Sequence, residues 1–258
     1  MVEVMGVPDW CSMAPAPRFS AQEQETLIIN AAIKAIEESS LLDFSMSAVA
    51  KLAGLSMGSV YKFVQCKEDV LIALATRMYQ ERHLVFKKVL SLPLTTPERL
   101  IAMSLLDCSK VDMYTFGNQL ESIVNNEALM KRCSARWLTQ MINCGERCQN
   151  LFQQFLQNAA DSGELTSGNR DIEEIKIGIW SLSVGYFQSV RLHLDRHNEE
   201  QDNTNIAAQI TENAFVLAPN DAHVCNMRRL INSYDWKQNI SDNDIKKVCL
   251  QLSDNALR

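Results

Sequence analysis

The chain has 258 residues, 47% hydrophobic and 22% charged, with a formal net charge of −6. That is enough apolar material for a sizeable core, in one large domain or a small one beside a larger one. Nine glycines and six prolines are too few for a β-sandwich or barrel, which needs a turn about every ten residues.

Plentiful Leu, Ala, Met, Glu, Gln and Lys favour long helices. The longest purely apolar run, Val70 to Ala75, is far too short for a bilayer span. Glu3 and Asp9, with no Lys or Arg before Arg18, do not fit a signal peptide. The chain is therefore predicted to be soluble and cytoplasmic, with no membrane partner. Its eight cysteines (Cys11, Cys66, Cys108, Cys133, Cys144, Cys148, Cys225 and Cys249) form no C-x2-C pair. Free thiols, with no structural metal and no cofactor, are the expectation.

In chain order, residues 1–20 hold Pro8, Pro15 and Pro17 and read as a flexible arm. A helix is predicted over 21–39, with Ile28, Ala31, Ala32, Ala35 and Ile36 on one stripe. Ser45 then caps a short helix carrying Met46, Val49, Ala50 and Ala53, which Gly54 stops. Ser56 caps another, with Met57, Val60, Tyr61 and Val64 at the same spacing. Two short amphipathic helices joined by a tight Gly-containing turn make a helix-turn-helix. From Phe44 to Lys67 there are three lysines and no Asp or Glu. A small basic window on an acidic body is the charge pattern of a DNA-binding head, and a plain solvated face is the other reading of three lysines.

A long helix is predicted over 67–90, and the stretch Leu92 to Pro97 breaks it. This divides the chain into a helix-turn-helix domain with its connecting helix (21–90) and a helical body (91–258). In the body, helices are predicted over 97–111, 115–125, 127–162 (interrupted once), 171–194, 204–217, 221–233 and 241–252. The fold class is all-α: an N-terminal three-helix head on a larger helical body for ligand binding and dimerisation.

The run from Ser45 to Glu68 resembles the head of the TetR family of transcription regulators. Val49-Ala50, Ala53-Gly54-Leu55-Ser56, Gly58-Ser59-Val60-Tyr61 and Lys67-Glu68 occupy the family's characteristic positions, and Ala31-Ala32 fits the preceding helix. Three positions depart from the pattern: Ser40 where Gly is common, Val64 where Phe is common, and Cys66, a poor cap, before Lys67. The resemblance implies a homodimer that grips double-stranded operator DNA as a repressor and answers to a small-molecule effector.

In a helix-turn-helix the second helix enters the major groove. Met57, Gly58, Ser59, Lys62 and Phe63 are read as its outward face. Tyr61 and Lys67 match family positions that contact phosphate, and Ser45 and Ser47 suit a second phosphate clamp. Without Arg, Asn or Gln on that face, base reading leans on apolar contacts with thymine methyls and on DNA shape. Tyr61 as a rim residue of the core, and Met57 and Phe63 as a protein contact, are the plainer alternatives.

In the body, Met103, Met113, Tyr114, Phe116, Trp137, Met141 and Trp180 are candidates for a reshapable, mainly apolar ligand pocket. Filling the core is the plainer reading for each. Gly178, Ser181, Gly185 and Ser189 form a small-residue stripe on the helix over 171–194, which is apolar on two sides. With the helix over 204–217 it is predicted to form a four-helix bundle between two copies. Cys133, Cys144 and Cys148, spaced 11 and 4 apart, share a face if the helix over 127–162 is continuous, as a thiol sensor or soft-metal site or, more plainly, as small core residues. His193 and His197 read as a solvated helix end before a metal site. No motif for a nucleophile, phosphate loop or metalloprotease occurs, so an enzyme is not expected. A helical interaction protein whose helix-turn-helix no longer binds DNA is the alternative function.

Overall fold

Helices begin where the sequence supplies an acceptor for their first amide groups. The computed structural model describes residues 19–200 and 216–258. Helix α1 (Ala21–Glu37) opens on a capping box: Ser20 Oγ accepts the Glu23 N–H, and the Glu23 carboxylate accepts the Ser20 N–H at 2.7 Å. Ser45 caps α2 (Met46–Ala53) through the Ala48 N–H, and Ser56 caps α3 (Met57–Phe63) through the Ser59 N–H, both at 3.1 Å. Each such cap contributes about 1 kcal/mol. Gly54 ends α2 with φ +65°, in the left-handed region that a side chain disfavours. Ser40 closes the turn after α1 through its side chain. Its Oγ donates to the Asp43 carboxylate and accepts the N–H groups of Leu42 and Asp43. Ile28, Ala32, Phe44, Val49 and Val60 are all buried.

The chain divides after Gln65 into two units. The boundary predicted near residue 91 therefore moves, because α4 (Lys67–Leu90) packs along α8, α6 and α5 of the second unit. Around it follow α5 (Thr96–Leu105), α6 (Gly117–Val124), α7 (Glu127–Met130), α8 (Ala135–Asp161), α9 (Ile172–Glu200), α10 (Ala222–Asn232) and α11 (Asp242–Asp254). Single 3-10 turns lie at Cys108–Lys110 and Gly168–Asp171. Helix α5 ends earlier than predicted: Leu106 turns extended, Asp107 caps the 3-10 turn, and its N–H reaches Leu257 O at 2.9 Å. The break between α7 and α8 falls at residues 131–134. Residues 1–18 of the arm predicted over 1–20, and residues 204–215 of the helix predicted over 204–217, lie outside the described residues; Val216 and Leu217 are described and are not helical.

The body core gathers around α5, with Leu100, Ile101 and Leu105 against Ile172 and Ile175 of α9, Val224, Met227 and Ile231 of α10, and Ile245, Val248 and Leu252 of α11. The segment after Pro219 is thus part of the core. Glu98, buried in α5, accepts from Lys247 Nζ on α11 at 2.8 Å, and Glu164 accepts both the N–H and the Oγ–H of Thr96 at 2.6 Å. Among the described residues the β-type pairing is one bridge, Leu165 with Trp236. No helix among them is long and apolar enough to cross a membrane.

Candidate nucleic-acid interface

Helix α3 turns one face to solvent. Met57 is 37% exposed and Tyr61 46%, and Gly58 and Lys62 are exposed beside them. At about 100° per residue, positions 57, 58, 61 and 62 fall within one sector of the helix. Val60 and Val64 are fully buried. Tyr61, at 46% exposed, is therefore not a buried core residue, whereas a place at the core's rim is compatible with this exposure. Ser59 and Phe63 are half-buried, on the flanks of that sector, so the face is narrower than the sequence reading drew it. Ser59 Oγ lies 3.0 Å from Ser56 Oγ, tied to the cap of its own helix.

At the start of α2, Ser45 and Ser47 are exposed with their hydroxyls 3.0 Å apart. Ser45 already accepts a backbone N–H, so Ser47 has more of its hydrogen-bonding capacity to offer. Lys51, one of the three lysines of the basic window, is exposed on α2 and adds a cation to that of Lys62 on α3. Lys67 is the first residue of α4, half-buried, and belongs to the second unit. Cys66, ahead of it, makes no capping bond. As expected from the departure at this position, it is a poor cap. Its thiol instead donates to Arg132 O at 3.5 Å.

The pocket candidates of the body differ in burial. Tyr114 and Phe116 are buried and stacked, with centroids 5.2 Å apart and planes at 9°. The Tyr114 hydroxyl donates to Leu74 O at 3.4 Å, and burial pushes its pKa up to about 12. Trp137 and Met141 are buried on α8, and Met103 packs half-buried against the α5 core. Met113 is 37% exposed and Trp180 64%. Those two lie at the surface.

The small-residue stripe of α9 is also divided. A Cβ on Gly178 would meet Leu230 Cδ2 of α10 at 3.2 Å, so this glycine serves packing within the chain. Ser181 and Gly185 are exposed, and Gly185 has open space around it. The Ser189, His193 and His197 side chains lie outside the described residues. Ile177, 61% exposed, and Trp180 form an apolar strip beside half-buried Val184. The opposite side carries Ile175, Ile179, Leu182 and Tyr186 into the core.

No family model matches the chain, and no curated protein does. Solved structures similar to it include two transcription regulators. One is the transcriptional regulator FadR from Bacillus subtilis, in complex with stearoyl-CoA. It is 17% identical, with 80% of this chain and 95% of that chain covered and a TM-score of 0.48. The other is the fatty acid degradation regulator FadR from Bacillus halodurans, 15% identical over the same shares, with the same TM-score. No residue role follows from likeness at these values.

Among the described residues, no three His, Cys, Asp or Glu side chains are grouped to hold a metal ion. Seven cysteines are free, and Cys11 lies outside the described residues. A charged cluster joins α4 to α6: Arg82, largely buried, donates to Asp112 at 2.9 Å, to Glu121 at 2.6 Å and to Val111 O. Its charge is fully paired, so it offers no docking point for an anion.

Proposed function

We propose that the chain is a DNA-binding transcription regulator of the TetR type: a cytoplasmic homodimer that represses by holding operator DNA and lets go when a small, mainly apolar ligand enters the body. The observation that carries this reading is the α2–turn–α3 unit, with Met57, Tyr61 and Lys62 exposed on one face of its second helix and no carboxylate between Phe44 and Lys67.

Seated in the major groove, that face presents a methionine to thymine methyls and a phenol and an ammonium to phosphates. Ser47 and Lys51 supply further backbone contacts from α2. Gly58 lets the helix backbone approach the duplex closely. The exposed strip of Ile177 and Trp180 on α9 is the surface for the second copy. Two copies would present two α3 helices to half-sites about one DNA turn apart, or a multiple of that. The ligand acts by population shift: it favours a body conformation whose connecting helix α4 no longer suits both half-sites. By linkage, DNA weakens the ligand's affinity by the same factor.

The absence of Arg, Asn and Gln from the α3 face favours a second reading, a helical interaction protein that no longer binds DNA. Selection of bound fragments from the host genome, followed by salt titration, separates the two. A regulator enriches discrete fragments, and its log affinity falls linearly with log salt. A chain that enriches none is the interaction protein.

A further inference from the structure

We propose that the exposed face of α3 recognises the C5-methyl groups of pyrimidines and not whole base edges, so that a cytosine methylated at C5 holds the chain as a thymine does. This rests on the regulator reading and deepens it by naming the feature of DNA that the face takes, and with it a covalent mark on DNA that sets its affinity.

The residues of α3 leave few ways to read a base. Of its exposed positions, Met57 offers a thioether, Gly58 no side chain, Tyr61 a hydroxyl and Lys62 an ammonium. Ser59 is half-buried, with its Oγ 3.0 Å from Ser56 Oγ. Phe63 is half-buried, and Val60 and Val64 are fully buried. Cytosine and adenine each turn an amino donor to the major groove, and guanine turns two acceptors. A carboxylate accepts from cytosine, Asn or Gln pairs with adenine, and Arg pairs with guanine. The run from Met57 to Phe63 contains none of these. Lys62 stands five residues beyond Met57, about 7.5 Å along the helix. Its compact ammonium on a flexible stem follows phosphate charge before a base edge.

Gly58 has no role in packing within the described residues. Apart from its own helix, a Cβ there would meet only Ser56 Oγ, at 3.9 Å. Glycine weakens a helix relative to alanine, so the bare backbone serves close approach by something outside the chain. Met57 beside it is 37% exposed, and an unbranched, polarizable side chain fits itself to small apolar groups. On the major-groove edges of the four bases, the apolar group is the C5 methyl of thymine. 5-Methylcytosine carries the same group on the same ring carbon. It differs from thymine in its amino donor, and α3 has no carboxylate to test for that donor.

The test takes the full chain and a site selected from genomic DNA. Each thymine of the site is first replaced by deoxyuridine, which removes the C5 methyl alone. A loss of about fourfold is expected at one or more thymines, the worth of one buried carbon. At each such position four pairs are then compared: thymine·adenine, uracil·adenine, 5-methylcytosine·guanine and cytosine·guanine. The two methylated pairs should bind alike, and the two unmethylated pairs should bind alike and about fourfold more weakly. Met57→Ala should bring all four to the weaker affinity while melting close to the parent, because its side chain is already exposed. Gly58→Ala should melt no lower than the parent and bind all four pairs more weakly. Affinities that follow the base pair and ignore the methyl group overturn the proposal and make the face an edge reader. Indifference of every thymine to deoxyuridine, a methyl preference that survives in Met57→Ala, or parent-like binding by Gly58→Ala overturns it as well. A chain that selects no DNA overturns the regulator reading and this proposal with it, whereas the other outcomes leave that reading standing.

Discussion

Asp69, buried in the first turn of α4, accepts the backbone N–H of Ser134 at 2.7 Å. Ser134 stands at the start of α8 and makes no capping bond with its own side chain, so a carboxylate 65 residues away ties that end down. Glu68 reinforces the joint through Arg132 at 2.9 Å. Asp69→Ala removes a charged acceptor and strands a half-buried N–H, at a cost of about 2 kcal/mol. The melting temperature of the body should fall by about 4–8 °C. Asp69→Asn, which keeps an oxygen at the same place, should recover part of the loss. A melt of Asp69→Ala indistinguishable from the parent would show that the joint contributes nothing.

Local and distant causes differ in how far they can be read from sequence. The caps at Ser45 and Ser56 and the stop at Gly54 act within three or four residues, so α2 and α3 were legible at nearly their true limits. The break at 131–134 was expected only as an interruption somewhere, because its partner, Asp69, sits on another helix. The same holds at the sites. Helical spacing alone put Met57 and Tyr61 on one stripe with Val60 and Val64, and Tyr61 entered the candidate site through the family resemblance; exposure of the first pair and burial of the second separate them. The role of Gly178 was not legible: smallness shows that something comes close, and the neighbour is Leu230 of the same chain. Trp180 and Met113 looked like core or pocket by residue type, yet both are exposed.

Gly54 offers a check on the turn of the head. Its φ of +65° suits glycine, and a Cβ there would touch nothing within 4 Å. Gly54→Ala therefore carries backbone strain without a clash, and should destabilise the head by about 1 kcal/mol. Denaturant unfolding should show a lower midpoint with the slope unchanged. A midpoint unmoved by Gly54→Ala would mean that the turn relaxes freely.

DNA binding makes a sharper demand on charge. Lys67→Ala should reduce the slope of log affinity against log salt by about one unit. Tyr61→Phe, which loses only a hydroxyl, should weaken binding with the slope intact. Met57→Ala should change which fragments are preferred more than how tightly they are held. Parent-like binding by both Lys67→Ala and Tyr61→Phe would remove the phosphate role given to them.

Acid should loosen the body through His223. The side chain is 3% exposed and stacks on Tyr186, with centroids 4.3 Å apart and planes at 23°. Burial lowers its pKa below the ordinary 6.5, although the Asp221 carboxylate pulls the other way. The unfolded chain therefore takes up the proton first as pH falls. Stability declines from pH 6.5 down to the folded pKa and levels off below it, with no such loss above 6.5. His223→Phe keeps a stacking ring but cannot be protonated. Melting temperatures measured from about pH 8 to pH 5 should fall less steeply for His223→Phe than for the parent, and parallel curves would exclude this residue as a source of acid sensitivity.

The exposed strip of α9 and the glycine beside it give opposite expectations, which makes the dimer reading testable without an operator. Trp180 and Ile177 are the most exposed large apolar side chains of α9 among the described residues. An indole covered on both sides anchors an interface strongly, and a charge in its place would be buried unpaired. Trp180→Glu should therefore weaken association by about 2–4 kcal/mol, the range of an interface hot spot. A chain that sediments as a dimer at micromolar concentration would become a monomer. Gly178→Ala acts elsewhere: its Cβ would stand 3.2 Å from Leu230 Cδ2 within the same chain. That variant should melt at a lower temperature yet still sediment as a dimer. A parent that is monomeric at micromolar concentration removes the homodimer from the proposed function. A dimer that survives Trp180→Glu but dissociates with Gly178→Ala would place the interface on the side of α9 that faces α10, where no strip of exposed apolar residues is needed.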